Sequence, residues 1–246
     1  RRRDSGHDFC IIKLGVPGLI RGVDIDTSYF TGNFPPAASV EAVYADEAPG
    51  DDAAWTEIVA ATTLGASAHH FVAVDSDQPY NYLRLHMFPD GGIARLRVYG
   101  EPVVDWSSAD GGVAELSAIT SGGRVVSFNN SHYGDPWVIL TAGRGANMGD
   151  GWETRRRREP GNDWIIVQLG CPGIIERIEV DTAHFKGNFP DMCSVQAALV
   201  EGGTDASITT QAMFWSETLA PQKLQMDHIH SWQGGDITGI GPVSHV

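Results

Sequence analysis

Two carboxylates three residues apart, Asp150 and Glu153, stand just before four consecutive cations, Arg155 to Arg158. Carboxylates can take up and return protons during a reaction, and a guanidinium fork beside them suits a carboxylate ligand. If the segment is extended, Glu153, Arg155 and Arg157 share one face and Arg156 and Arg158 the other. The competing reading is structural, with Trp152 in the core and Glu153 paired to an arginine on a neighbouring strand. A second cluster lies at 181–190, DTAHFKGNFP. There Gly187-Asn188 can make a tight turn, and Phe185 and Phe189 anchor a loop carrying Asp181, His184 and Asn188. Histidine exchanges a proton near neutral pH. His184 is therefore the favoured acid/base candidate, with Glu153 and Asp150 as the other catalytic candidates.

Both clusters belong to a duplication. Residues 1–42 recur as 156–197 at a constant offset of 155, with 21 of 42 positions identical, against about 3 expected from average composition. A period this long fits a whole domain used twice rather than a solenoid unit. Asp181 and Asn188 are repeated as Asp26 and Asn33. Repetition favours a fold requirement; differences between copies are where labour can divide, and His184 against Tyr29 is the sharpest. Asp227-His228-Ile229-His230 would put two histidines on one strand face, but no third metal ligand lies in sequence reach. His70 aligns approximately with His228, favouring a shared turn or packing role. Arg84, Arg95 and Arg97 alternate with core residues and read as an outer face. No metal site or cofactor is expected, and no GxSxG elbow, phosphate loop or nucleotide fingerprint is present.

The 246 residues carry a formal charge of -14, which argues against nucleic acid or anionic membrane as a partner. Asp46, Glu47, Asp51 and Asp52 read as a solvated loop. Cys10, Cys171 and Cys193 form no CxxC pair; they suit a reducing compartment and read as small buried hydrophobes. There is no apolar run of about 18 residues to span a membrane and no secretory h-region.

The elements that must position these residues have strand periodicity. Val23 and Ile25 alternate with Asp24 and Asp26, Val40, Ala42 and Tyr44 with Ser39 and Glu41, and Leu96 and Val98 with Arg95 and Arg97. Turn signals recur between these runs, and Asp90-Gly91 predicts a hairpin. No segment shows a sustained helical stripe. The expected class is all-β: two tandem jelly-roll, galactose-binding-like antiparallel sandwiches. The first repeat spans 1–104 and the second 113–246, with 105–112 as a linker. The segment 121–128 reads as the second copy's first strand, and its counterpart falls upstream of residue 1. Ser244-His245-Val246 matches Asn81-Tyr82-Leu83, which precede the 89–100 turn. The first copy is thus expected to lack opening strands and the second a closing hairpin.

DGWETRRRR at 150–158, DTAHFKGNFP at 181–190, PDGGIARLRVYG at 89–100 and GGRVVSF at 122–128 resemble the allantoicase family in its own order, over nearly the whole chain. The resemblance implies two jelly-roll domains, a homo-oligomer, a cytoplasmic or peroxisomal place in purine and allantoin breakdown, and hydrolysis of allantoate to ureidoglycolate and urea. Releasing intact urea breaks the bond from the central carbon to nitrogen. That needs a cation for the carboxylate, an acid for departing urea, a base, and hydrogen bonds that orient the ureido arms. Arg155, Arg157, Asn188, Asp181 and Asn33 are the substrate-binding candidates. The alternatives are a non-catalytic ligand- or carbohydrate-binding sandwich with exposed platforms among Trp55, Trp106, Trp215 and Trp232, or an inactive relative keeping the fold alone.

Overall fold

Pleated alternation builds the architecture. Val23 and Ile25 point inward and are almost wholly buried, and the strand pairs of the structure, a computed structural model describing residues 5–108 and 112–246, are antiparallel. The basic run at 1–3 and residues 109–111 of the expected linker lie outside the described residues. The chain divides into two compact units, Arg1–Asp105 and Trp106–Val246.

Unit 1 contains β1 (Asp8–Asp26), β2 (Ala37–Val43), β3 (Thr56–Thr63), β4 (His69–Ala73), β5 (Pro79–Phe88) and β6 (Arg95–Pro102). β1 serves two sets of partners. Its first half pairs with β5, which continues to β2 and β3, while its second half pairs with both β4 and β6. The register shifts between Lys13 and Gly18, where Gly15, Pro17 and Gly18 interrupt the pleat and let one strand change layers. Ile20, Val23 and Ile25 from β1 meet Val40 and Ala42 from β2 and Leu83 and Leu85 from β5 in one core. Burying each large apolar side chain there is worth roughly 1.5–3 kcal/mol.

The Asp90-Gly91 hairpin expected from the sequence is not formed. β5 and β6 do not pair with each other; each pairs with a different half of β1. Gly91 instead meets a close approach: it has φ 147°, and a Cβ there would lie 2.4 Å from the Pro35 backbone nitrogen. The dipeptide reported a local bend correctly, but strand pairing is decided by β1, a partner distant in sequence.

Unit 2 contains β7 (Arg124–Phe128), β8 (Ile165–Gly173), β9 (Arg177–Asp181), β10 (Met192–Ala197), the helix α1 (Asp205–Ala212), β11 (Ser216–Lys223), β12 (Ile229–Gln233) and β13 (Val243–His245). At the offset of 155, β8 and β9 correspond to the two halves of β1 and β10 to β2. Pairing repeats as well. Tyr82 faces Lys13 and Val43 in unit 1, and His245 faces Gln168 and Ala198 in unit 2. This agrees with the sequence match of 244–246 to 81–83.

Three details differ from the sequence reading. α1 was hidden because it buries only Ile208 and so presents no apolar stripe; Thr204 and Ser207 cap its start reciprocally. The helix lengthens its connection, so the offset over β11 and β12 is 160 rather than 155: Glu57 faces Glu41 as Glu217 faces Gln196. His70 therefore corresponds to His230, not His228. Each accepts a backbone N–H at Nε2, from Gly65 (2.7 Å) or Gln225 (2.8 Å), and donates from Nδ1 to the carbonyl of Ile25 (2.8 Å) or Val180 (3.1 Å). With both of its ring nitrogens engaged, His230 has none free to join His228 on a metal. Finally, all three cysteines are free thiols, but Cys10 is exposed and the others are half-buried, so Cys10 is not a core residue.

Gly91→Ala is expected to lower stability by about 1–3 kcal/mol, read as an earlier urea midpoint. Gly187→Ala, where a Cβ meets nothing within 4 Å, serves as the control and should leave the midpoint almost unchanged.

Candidate functional site

β9 ends at Asp181 and the chain turns at once. Asp181 Oδ1 accepts from the Ala183 N–H at 2.8 Å, the short-range bond that Asp makes in turns. The buried Thr182 hydroxyl donates to the Gln225 carbonyl (2.6 Å) and accepts from the His228 N–H (3.0 Å). His184 is then held at φ 67°, and its N–H donates to Asp227 Oδ1 at 2.8 Å. Unit 1 repeats this clamp with Asp26, Thr27, Tyr29 (φ 69°) and Ser67. What the clamp presents differs. Tyr29 is 93% exposed, whereas the half-buried His184 ring donates from Nε2 to the Gly145 carbonyl at 2.7 Å.

The opposite wall comes from residues 133–153. Asn147 Oδ1 accepts from the Gly149 N–H and Asp150 Oδ2 from the Ala146 N–H, both at 2.8 Å, winding a short turn. Glu153 is bridged through its backbone to Tyr133. Its Oε1 accepts from Asn188 Nδ2 at 2.8 Å. The Phe185 ring lies so near Gly151 that a Cβ there would come within 2.6 Å of it. The result is a cavity of about 720 Å³ lined by Tyr133, Asn147, Met148, Gly149, Glu153, His184 and Lys186. Arg144 pairs with Asp181 at 3.2 Å and Asp227 at 3.1 Å, tying the two walls together.

Of the residues expected from sequence, Glu153 and His184 line this cavity, and Asn188 touches Glu153. Asp150 and Asp181 hold turns beside it. Arg155 and Arg157 are not among the lining residues. The Arg155 N–H donates to Asn130 Oδ1 (2.9 Å), and Arg157 pairs with Asp163, which thereby sits below the usual carboxylate range despite some burial. The 154–158 segment forms no strand, so its expected two-faced alternation has no sheet to act on. Asn33 lines a separate cavity of unit 1 with Phe30, Gly32, Asp90, Gly91 and Gly92.

Sequence reasoning missed Lys186, the cation of the cavity, along with Tyr133, Asn147, Arg144 and Asp227. Lys186 stands where the first copy has Thr31, so the between-copy difference that singled out His184 would have found it too. At the offset of 155, Tyr133, Arg144 and Asn147 fall upstream of residue 1, and the contrast of Asp227 with Ser67 emerges only once strand pairing fixes the offset of 160. In unit 1, Arg97 and Arg84 are not a bare outer face: Arg97 bridges Asp24 and Asp26, and Arg84 pairs with Glu41 and with Asp51 of the acidic loop. Trp55, Trp106, Trp215 and Trp232 are each half-buried rather than open platforms. No helix among the described residues is long and apolar enough to cross a membrane.

Comparison with known proteins follows the same motifs. The family model for the Allantoicase repeat matches residues 1–103 and 114–246. The chain is 58% identical over 248 residues to "Probable allantoicase 2" of Burkholderia mallei, across all of this chain and 74% of that protein. It is 52% identical to "Probable allantoicase" of Pseudomonas fluorescens strain SBW25, across all of this chain and 75% of that protein. The crystal structure of the Saccharomyces cerevisiae allantoicase superimposes with a TM-score of 0.82 at 36% identity, covering 99% of this chain and 74% of that one.

The clamp makes a pH prediction. The His184 N–H holds the Asp227 carboxyl below the ordinary aspartate range, slight burial opposes this, and Arg144 and Lys186 add to the lowering. A depressed carboxyl pKa stabilises fully above the unfolded value of about 3.9 and loses that contribution as pH falls through the folded value. Hydrogen exchange at the His184 amide should stay slow at neutral pH and lose protection only in acid. Asp227→Ala should remove that protection at neutral pH.

Proposed function

The chain belongs to the allantoicase family, and we propose that it hydrolyses allantoate to ureidoglycolate and urea in the cavity of its second unit. One observation carries the placement: a carboxylate, an imidazole and an ammonium group, Glu153, His184 and Lys186, line the same cavity. In this reading Lys186 takes the substrate carboxylate. Asn147, whose side-chain oxygen is already held by Gly149, offers its amide N–H groups to a ureido carbonyl. Arg155 and Arg157 have the weaker case, because Arg157 is committed to Asp163.

The chemistry divides between the other two groups. With Nε2 donating to Gly145, Nδ1 is the ring nitrogen that faces the reaction, and in the imidazolium form it gives its proton to the departing urea nitrogen. With Oε1 held by Asn188, Glu153 uses Oε2 to accept a proton from water as that oxygen bonds to the central carbon. The carbon–nitrogen bond breaks, a carbon–oxygen bond forms, and one proton moves each way. Fixing these groups by Asn188, Gly145 and Asp227 limits the reorganisation the reaction requires.

The same reading makes 1–104 and 113–246 the two repeats, joined by 105–112. It makes the chain a cytoplasmic homo-oligomer, with a small-molecule substrate rather than nucleic acid or membrane as its partner. Exposed Met213 and Phe214 after α1 are apolar surface that self-association would cover.

Urea release from allantoate tests the site. Glu153→Gln and His184→Ala are each expected to lower kcat by about a hundredfold or more. Lys186→Ala should act chiefly on KM. Wild-type turnover in both the Glu153 and His184 variants would exclude this cavity as the reaction site.

A further inference from the structure

We propose that unit 1 carries a site for one divalent first-row transition-metal ion, built from Asp24, Asp26 and His69 beneath the guanidinium of Arg97. Strand geometry brings these residues together. Asp24 and Asp26 are two residues apart on β1 and share a face. His69 on β4 stands opposite Asp26, and Arg97 on β6 stands opposite Asp24. One oxygen of each carboxylate and Nδ1 of His69 lie within 4.8 Å of one another. His69 Nδ1 is 2.8 Å from Asp24 Oδ2 and 4.0 Å from Asp26 Oδ2. Ligands about 2.0–2.2 Å from a shared ion are separated by similar distances, so small side-chain shifts suffice.

A second observation points to a ligand. Asp24 and Asp26 are 1% and 4% exposed, and both use the single Arg97 Nη1, at 3.0 and 3.1 Å. Asp24 Oδ1 is buried and has no hydrogen-bond partner among the described residues. An acceptor withdrawn from water without a donor is costly, and the two adjacent buried carboxylates share one permanent cation, while the His69 ring at Asp24 Oδ2 and the Ser28 N–H at Asp26 Oδ1 add hydrogen bonds but no second fixed charge. An ion bound by Asp24 through both oxygens would engage that idle atom and complete a four-donor set with Asp26 and His69. Two carboxylates and an imidazole make a mixed oxygen and nitrogen set, which suits ions from Mn²⁺ to Zn²⁺ better than the all-oxygen preference of Ca²⁺ and Mg²⁺.

Arg97 acts as the resident counter-ion. Its side chain is 41% exposed, so it can withdraw to solvent while the metal takes the place of Nη1. His69 is 46% exposed and stacks on Phe71, 5.7 Å between ring centres at 8°, which fixes the imidazole plane. Ligation by Nδ1 uses the tautomer with its proton on Nε2. The bound ion ties β1 to β4 beside the turn after Asp26. Unit 2 supplies its own control: Ile229 faces Asp181 where His69 faces Asp26, so the repeat gives one site per chain and not two.

Titration calorimetry of the chelator-treated full chain with Mn²⁺ and with Zn²⁺ tests the site, with circular dichroism confirming that each variant is folded. One saturating ion per chain is expected, with weaker binding of Mg²⁺ and Ca²⁺. His69→Gln, at a half-exposed position that folding tolerates, should weaken binding by about tenfold or more. Arg97→Gln should tighten it, because a competing cation is gone. No saturable one-to-one binding at millimolar metal would overturn the proposal, as would unaltered binding in His69→Gln. An equal loss in Arg97→Gln and His69→Gln would also overturn it, by assigning the cluster to strand cohesion alone.

Discussion

A buried threonine hydroxyl after the last strand residue sets the shape of both loops that matter here. Thr182 donates to one carbonyl and accepts an N–H from the facing loop, and Thr27 does the same in unit 1. Each is preceded by an aspartate that bonds the backbone two residues on. Together these contacts leave the chain no extended continuation, so the residue two beyond the threonine takes a positive φ. A non-glycine residue is uncommon there and persists only where its surroundings over-determine it. Here the surroundings are the facing loop's Ser67 or Asp227, themselves at positive φ, which accept that residue's N–H.

The two units apply one clamp to different ends. In unit 1 the clamped side chain is a solvent-exposed tyrosine, and the charge beside it is an interior one: Asp24 and Asp26 compensated by Arg97. In unit 2 the clamped side chain is a histidine turned onto a backbone carbonyl at the cavity wall, and Asp181 is compensated by Arg144. A chain with a formal charge of -14 has no general attraction for an anionic substrate. At the proposed site the positive charge is local, with Lys186 lining the cavity and Arg144 pairing with Asp181 and Asp227. Long-range fields are screened over about 8 Å at physiological salt, so this local placement outweighs the net charge.

The duplication, the all-β class, the antiparallel habit and the family were legible in the amino-acid order. Each follows from a local or internally repeated signal: period-two alternation, turn residues, and long identical strings at constant offset. Residue type and the difference between copies singled out Glu153 and His184 as candidates, and the structure places both on the wall of one cavity. Tertiary structure alone decided which of the charged residues converge. Arg157 turned to Asp163, six residues on, because the 154–158 segment joins no strand, and Lys186 shares a cavity with Glu153 because the 181–190 loop meets the 133–153 segment through Asn188 and Glu153. It also turned the Asp90-Gly91 bend from a hairpin into a connection between the two partner sets of β1, and it moved the counterpart of His70 to His230 through the longer loop that holds α1. Pairing register, and charge compensation such as Arg97 with Asp24 or Arg144 with Asp227, are choices among distant partners, and no short window of sequence contains both members of such a pair.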